Sequence, residues 1–500
     1  MPVPEIIMGG GQPDKPALIF HDRPTTYGDL REWTRRVAAG LHGLGVSRWD
    51  QVALLLGNLP EFVYSLHGAM HLGAVAVPLN TMLTAEELGY VLADSEARAV
   101  IVEIDHLPKV LAVRDRVASL DHVLVVGPPP TPPGTRSFDE VLDGAGDAPE
   151  AAVADDDLAV ICYTAGTTAE PKGVMLTHGN LLANLEQLQA VPALAGAASD
   201  VVLLSIPLFH IYAMNAALNL MLREGATAVL VDRFDPVETL RIVERHRITV
   251  LYGVPQMYQA WLAVAAQQEF DLSSVRLAIS GAAPLASETL DAFRERFGVT
   301  IWEGYGLTET APVVTTNALG EVAKGGSIGR ALPGLQVRLL DEDGTDVIDG
   351  DPGEVLVRGP NVFRGYWKKE EETRAAFHED WFRTGDIAYR DEDGYLHLVD
   401  RSKDLVIVSG FNVFPREVEE AIAAIPDVAE VTVIGVADER TGEAIKAIVV
   451  TKPGSLLTED DVIEQCRDSL ARFKLPREVE FVDALPRHVT GKVLRRRFRE

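Results

Sequence analysis

Tyr163-Thr164-Ala165-Gly166-Thr167-Thr168-Ala169-Glu170-Pro171-Lys172-Gly173 follows directly on residues 158–163, an apolar run that reads as a buried strand. The small residues of this segment offer backbone N–H groups, its hydroxyls add side-chain donors, and Lys172 adds a point charge. Together these suit a phosphate chain. It is not the common P-loop, which needs Gly-Lys-Ser or Gly-Lys-Thr opening a helix, because Lys172 lies between Pro171 and Gly173. A plain surface turn has no use for so many hydroxyls around one glycine.

A phosphate loop leaving a buried strand belongs in an α/β fold, and the chain on either side agrees. Upstream come an amphipathic stretch at 30–44, an apolar run at 52–56, a helix after Pro60, buried strands at 99–102 and 123–126, and a Pro-rich connection at 128–133. Downstream, strands at 201–206, 226–231, 249–253 and 275–279 alternate with helices, notably 236–246 and 286–297. That rhythm predicts crossover-connected, largely parallel sheet. After about Gly334, short runs separated by Asp343-Gly344 and Asp393-Gly394 predict antiparallel hairpins. A third piece follows Lys403, with a helix at 415–425, strands at 428–436 and 444–451, and a helix at 458–473 opened by a Thr458/Asp461 capping box. Val462, Ile463, Cys466 and Leu470 fall on one face of that last helix. Cys466 therefore reads as core.

At 500 residues and 47% hydrophobic, the chain can bury more than one core. Its formal charge of −28 argues against nucleic acid and anionic membrane as partners, since both need a positive field. A polyanionic substrate must then meet local cations, which cluster from Lys492 to Arg499. Residues 1–16 lack the layout of a secretory signal, and no apolar run is long enough to span a bilayer, so the expected compartment is the cytoplasm. Cys162 and Cys466 are the only cysteines, which gives no disulfide framework and no Cys/His metal cluster.

The phosphate loop resembles the signature loop of the adenylate-forming (AMP-binding) superfamily, and further motifs match that family in order and spacing from Thr25 to Lys492. Ala165 and Ala169 stand where the family often has serine and glycine, which removes one phosphate hydroxyl; Lys172 and the Thr167-Thr168 pair remain. The resemblance implies that Thr164, Gly166, Thr167, Thr168 and Lys172 hold phosphates, and that Gly281, Ala282 and Ala283 form the adenine shelf. Glu303, Gly304 and Tyr305 then line the nucleotide. In Tyr305-Gly306-Leu307-Thr308-Glu309-Thr310, Thr308 is implied to bond a phosphate and Glu309, with Thr164, to hold Mg2+, a hard cation that prefers oxygen ligands. Thr384-Gly385-Asp386 resembles the ribose site. Asp400-Arg401-Ser402-Lys403-Asp404 resembles the junction between domains, with Arg401 on the nucleotide and Lys403 as hinge.

Pro486-Arg487-His488-Val489-Thr490-Gly491-Lys492 resembles the loop that carries the catalytic lysine. A carboxylate attacking the α-phosphorus brings two anions together, and a cation between them stabilises the transition state by roughly 3 kcal/mol. The implied architecture is a large α/β domain, 1–400, of stacked subdomains with a small β-barrel-like part. A small α+β domain, 404–500, follows a hinge at 400–403. The implied reaction joins a carboxylic acid to coenzyme A (CoA) at the expense of ATP, through an acyl-adenylate. Ser409-Gly410-Phe411-Asn412 resembles the face that the small domain presents to the thiol, Gly410 allowing close approach.

Pro207-Leu208-Phe209-His210 resembles the motif in which His210 gates the carboxylate. From 208 to 222 no charged residue occurs apart from that histidine, so neither an amino acid nor a dicarboxylate finds its counter-charge there. A medium- or long-chain fatty acid or an aryl acid is the expected substrate. Three other readings stay open: an adenylating enzyme that loads a separate carrier protein, a luciferase-like oxygenase, and an inactive nucleotide- or acyl-binding protein. Joint retention of Lys172, Glu309, Asp386, Arg401 and Lys492 weighs against the last. The sequence leaves open association as a homodimer.

Overall fold

The computed structural model of the protein describes residues 3–144, 146, 152–164, 170–341, 344–401, 406–413, 415–485 and 498. Two large sheets carry most of the chain. In the first, nine strands run in the order Arg330–Ala331, Val313–Thr316, Ile301–Gly306, Leu277–Ser280, Val250–Gly253, Val201–Leu204, Thr227–Leu230, Pro16–Phe20 and Arg23–Thr26. The central six pair in parallel, and the outer strands add antiparallel edges. The second has eight strands: Gly365–Tyr366, Lys172–Thr177, Leu158–Thr164, Val75–Pro78, Gln51–Leu55, Ala97–Glu103, His122–Val126 and Arg136–Ser137. Val, Ile, Leu and Ala fill these strands because both faces are covered by helices.

The helices obey the capping chemistry written in their first turns. Tyr27–Gly43 and Ala85–Asp94 each open on a reciprocal box, Thr26 with Asp29 and Thr84 with Glu87. Pro236–His246 has Pro at its first position and the Asp235 side chain as cap. From Gln336 a five-stranded antiparallel sheet follows, Gln336–Leu340, Gly353–Arg358, Trp381–Arg390 and Phe377–His378 in order, with Leu396–Arg401 paired on Trp381–Arg390. This sheet is the β-rich part expected after Gly334, and Gly394, at φ +81°, turns its last hairpin.

From Val406 the strands belong to another sheet, with its own core of Val418, Ile422, Val433, Ile445, Ala447 and Val462. One helix there is shorter than expected. The segment predicted at 458–473 is helical only over Glu459–Cys466, then turns at Ser469 and closes with a 3-10 turn, Arg472–Lys474. The Ser469 hydroxyl donates back to the Cys466 carbonyl and breaks the ladder, while Val462, Cys466 and Leu470 are still buried together. Among the described residues, no helix is long and apolar enough to cross a membrane.

Candidate active site

In the first sheet, strand Val201–Leu204 is flanked by Thr227–Leu230 on one side and Val250–Gly253 on the other, so the strand order reverses there. Open parallel sheets bind ligands at the carboxyl ends of their strands beside such a reversal. The segment leaving Val201–Leu204 contains Pro207 to His210. Its position is fixed by Asn58, which is buried and donates to the carbonyls of Leu204, Ile206 and Val231 at 3.3, 3.0 and 3.0 Å. Asn58 also accepts from the Leu208 N–H at 2.8 Å. The chain then winds as a π-helix, Tyr212–Asn219, a wide turn frequent at functional sites.

His210 is half-buried and packs among rings: Phe209 at 4.7 Å and Phe411, from the last sheet, at 5.2 Å between centroids. Burial pushes its imidazole down to about 4, so it is neutral near pH 7. Tyr212 lies across Gly281, where a Cβ would meet its ring at 3.2 Å. Its hydroxyl reaches the carbonyls of Gly253 at 3.4 Å and Ile279 at 3.3 Å, and its ring meets Tyr252 edge-on. The result is a wall of rings, Phe209, His210, Tyr212, Tyr252 and Phe411, beside the shelf.

The polar half of the site lies along the carboxyl ends of neighbouring strands. Gly281 donates to the Gly253 carbonyl, and Ala282 turns the chain in the left-handed region at φ +69°, so that Ala282 and Ala283 present backbone outward. Glu303 does not reach the surface of that shelf. Its carboxyl is 2% exposed beneath it, accepts from the Leu285 N–H at 3.2 Å, and is pushed up to about 8 by burial. It is therefore a neutral prop under the shelf. The Tyr305 hydroxyl donates to Asp386 at 2.6 Å. Asp386 is paired across the sheet with Arg401, two residues that sequence separation keeps apart.

Thr164 and Lys172 sit opposite one another at the mouths of two antiparallel strands. Both stems of the intervening loop are tied to helix Ala85–Asp94: Tyr163 donates to Asp94 at 2.6 Å, and Tyr90 to Glu170 at 3.3 Å. The Lys172 ammonium lies 5.0 Å above the Tyr366 ring, whose hydroxyl donates to Glu309 at 2.9 Å. Lys172, Tyr366 and Glu309 thus form one polar cluster, with Thr308 in the same 3-10 turn as Glu309. The Glu309 carboxylate and the Thr308 hydroxyl of this turn are hard oxygen donors, of the kind that Mg2+ takes.

Ser409 at φ +52° and Gly410 at φ +82° form the turn between strands Val406–Val408 and Phe411–Val413. A Cβ on Gly410 would lie 3.7 Å from Val254, so this turn rests on the carboxyl end of strand Val250–Gly253. Of the residues named from the sequence, His210, Gly281, Ala282, Ala283, Tyr305, Thr308, Glu309, Asp386, Lys172, Thr164 and Gly410 converge on one side of the molecule. Gly166, Thr167, Thr168, Lys403 and Lys492 lie outside the described residues, as does the side chain of Arg401. Asn58, Asp94 and Tyr366 were not singled out from the sequence. Each acts through a partner tens to hundreds of residues away, and nothing local marks them.

Residues 9–367 match the family described as AMP-binding enzyme, and residues 417–492 match AMP-binding enzyme C-terminal domain. A feruloyl-CoA synthase of Amycolatopsis sp is 40% identical over 95% of this chain and 94% of its own length. A long-chain-fatty-acid–CoA ligase of Bacillus subtilis (strain 168) is 36% identical over 98% and 92%. Among solved structures, an o-succinylbenzoate CoA synthetase double mutant from Bacillus subtilis, bound with its product analogue OSB-NCoA, superposes with a TM-score of 0.88. It is 29% identical and covers 99% of this chain and 98% of its own.

Proposed function

The chain belongs to the AMP-binding enzyme family, and from that premise we propose that it is an AMP-forming acyl-CoA ligase for apolar acyl or aryl acids. One observation carries the proposal. The Ser409-Gly410 turn and Phe411 stand against His210 and Val254, at the acyl end of the site, where a thiol must arrive to collect an acyl group. The feruloyl and long-chain acyl substrates named for relatives bracket the acids that the uncharged recess around His210 and Tyr212 suits.

In the first step a carboxylate oxygen attacks the α-phosphorus of ATP and pyrophosphate departs. Asp386 accepts from the ribose hydroxyls, and Tyr305 holds that carboxylate in register. Lys172 and the hydroxyls of the loop meet the phosphates. Glu309 and Thr164 would hold Mg2+, which would supply positive charge to the leaving group. The catalytic cation in this reading is Lys492, whose charge would stabilise that developing between the reacting anions. His210, neutral and packed among rings, admits the carboxylate without holding it as an ion pair.

In the second step the CoA sulfur attacks the acyl carbonyl carbon and AMP leaves. Gly410, lacking a side chain, leaves room for the pantetheine arm. Residues 1–400 act as the large domain and 404–500 as the small one, with a hinge at 400–403 centred on Lys403. A cytoplasmic location goes with this reading of the reaction.

The test is release of AMP and pyrophosphate over a panel of acids, from acetate through long-chain fatty acids to ferulate and benzoate, with and without CoA. AMP turnover that needs CoA and peaks on apolar acids is the expected result. Pyrophosphate release indifferent to CoA would move the reading to a carrier-protein acceptor, and no release with any acid would leave only binding.

A further inference from the structure

The face shared by the large and small units carries a buried ion triad in addition to the Gly410 and Phe411 contacts. Lys474 Nζ lies 2.7 Å from Glu417 Oε1 and 2.9 Å from Glu87 Oε1, and the Ala471 N–H approaches the same Glu87 oxygen at 3.4 Å. The Lys474, Glu87 and Glu417 side chains are 4%, 8% and 10% exposed. Glu417 and Lys474 both belong to the small unit, on helix Pro415–Ala423 and the turn Arg472–Lys474. Glu87 belongs to the large unit, on helix Ala85–Asp94. Burial works against the lysine's charge, but the two carboxylates outweigh it and raise its pKa above the ordinary value.

Glu87 is aimed before the small unit arrives. Its other oxygen accepts from the Thr84 N–H at 2.8 Å and the Thr84 hydroxyl at 3.0 Å, which closes the capping box and fixes the carboxylate. The same ten-residue helix ties both stems of the phosphate loop through Tyr90 and Asp94. A buried ion pair of this kind adds little net stability against water but is demanding about geometry, because parting the partners inside the fold strands a charge. It forms only in poses that bring these two faces together, and those are the poses that set Phe411 against His210.

We propose that Glu87 and Lys474 are positioning residues that latch the small domain in the pose for thiol transfer. The inference rests on the ligase reading above. It assigns the two residues to one half-reaction: loss of the latch slows delivery of the acyl group to CoA and leaves formation of the adenylate untouched.

The test uses full-length Glu87→Gln, whose amide oxygen still accepts from Thr84. Two rates are read separately: acid-dependent exchange of pyrophosphate into ATP without CoA, and single-turnover transfer from preformed acyl-adenylate to CoA. Transfer is expected to fall on the order of tenfold while exchange stays near its original rate. Glu417→Gln, which keeps the cross-domain bond, is expected to retain most of the transfer rate. Equal loss in both half-reactions, no change in either, or equal slowing of transfer by both variants would overturn the latch. Failure of the unaltered protein to form any acyl-CoA would instead overturn the ligase reading on which it rests.

Discussion

The two ends of the site are built on opposite rules. At the nucleotide end the ionisable groups are cross-braced by tyrosines: Asp386 by Tyr305, Glu309 by Tyr366, and Lys172 over the Tyr366 ring. At the acyl end His210 packs against the Phe209 and Phe411 rings, and Tyr212 spends its hydroxyl on two backbone carbonyls. One end is invariant chemistry held by charge and direction. The other is shape, where a change of side-chain size alters which acid fits without touching the phosphoryl step.

Substitutions can break that division, and the largest effect is expected at Lys492, the cation proposed for the reacting anions. Lys492→Ala should cost adenylation about a hundredfold or more, while transfer from supplied acyl-adenylate to CoA proceeds; pyrophosphate exchange and single-turnover transfer read the two. Asp386→Asn should raise KM for ATP roughly tenfold to a hundredfold, since charged hydrogen bonds to the ribose are lost. Tyr305→Phe, which keeps the carboxylate, should raise it less. KM for the acid should hardly move in either.

At the other end, Tyr212→Ala should shift kcat/KM toward longer or bulkier acids by roughly tenfold, the discrimination that one to three kcal/mol of pocket contact supplies. ATP parameters should stay put. A chain-length series that keeps its profile in this variant would remove Tyr212 from the acyl recess.

The smallest effect is expected in the prop beneath the shelf. The Glu303 carboxyl is raised in the fold to about 8 from an ordinary carboxylate value, so folding favours its protonated form. Its contribution is complete below the unfolded pKa and is lost as pH rises through about 8. Glu303→Gln mimics the protonated form. The variant's gain in Tm over the parent should be near zero at pH 5 and a few degrees at pH 8 or above, read by thermal melts at both.

What was legible in the sequence divides along the same line. Thr164 and Lys172 sit in a motif whose hydroxyls and lysine announce phosphate chemistry, whereas the metal and ribose roles of Glu309 and Asp386 came from the family resemblance of their short motifs. The acyl end offered less, because an apolar recess has the composition of any core; absence of charge from 208 to 222 was its only mark. The π-helical turn at Tyr212–Asn219 has the same apolar pattern as an ordinary helix. Glu303 was expected to line the nucleotide; its side chain turns inward onto the Leu285 N–H, which leaves that role to its backbone. The Glu87–Lys474 bond joins residues 387 apart, and neither side chain stands in a motif that names the other.

The two cysteines have a consequence for fidelity. An acyl-adenylate is an activated anhydride that will acylate whichever thiolate reaches it first. Cys162 lies in the strand that leads into the phosphate loop, yet it is buried, and burial followed by the Glu309 charge pushes its thiol up to about 12. Cys466 is sealed in the small unit's core, its thiol pushed up to about 11. Both thiols therefore stay protonated near neutral pH, so the protein presents no thiolate of its own to intercept the intermediate or to trap CoA as a mixed disulfide. The incoming thiol meets no rival within its own catalyst.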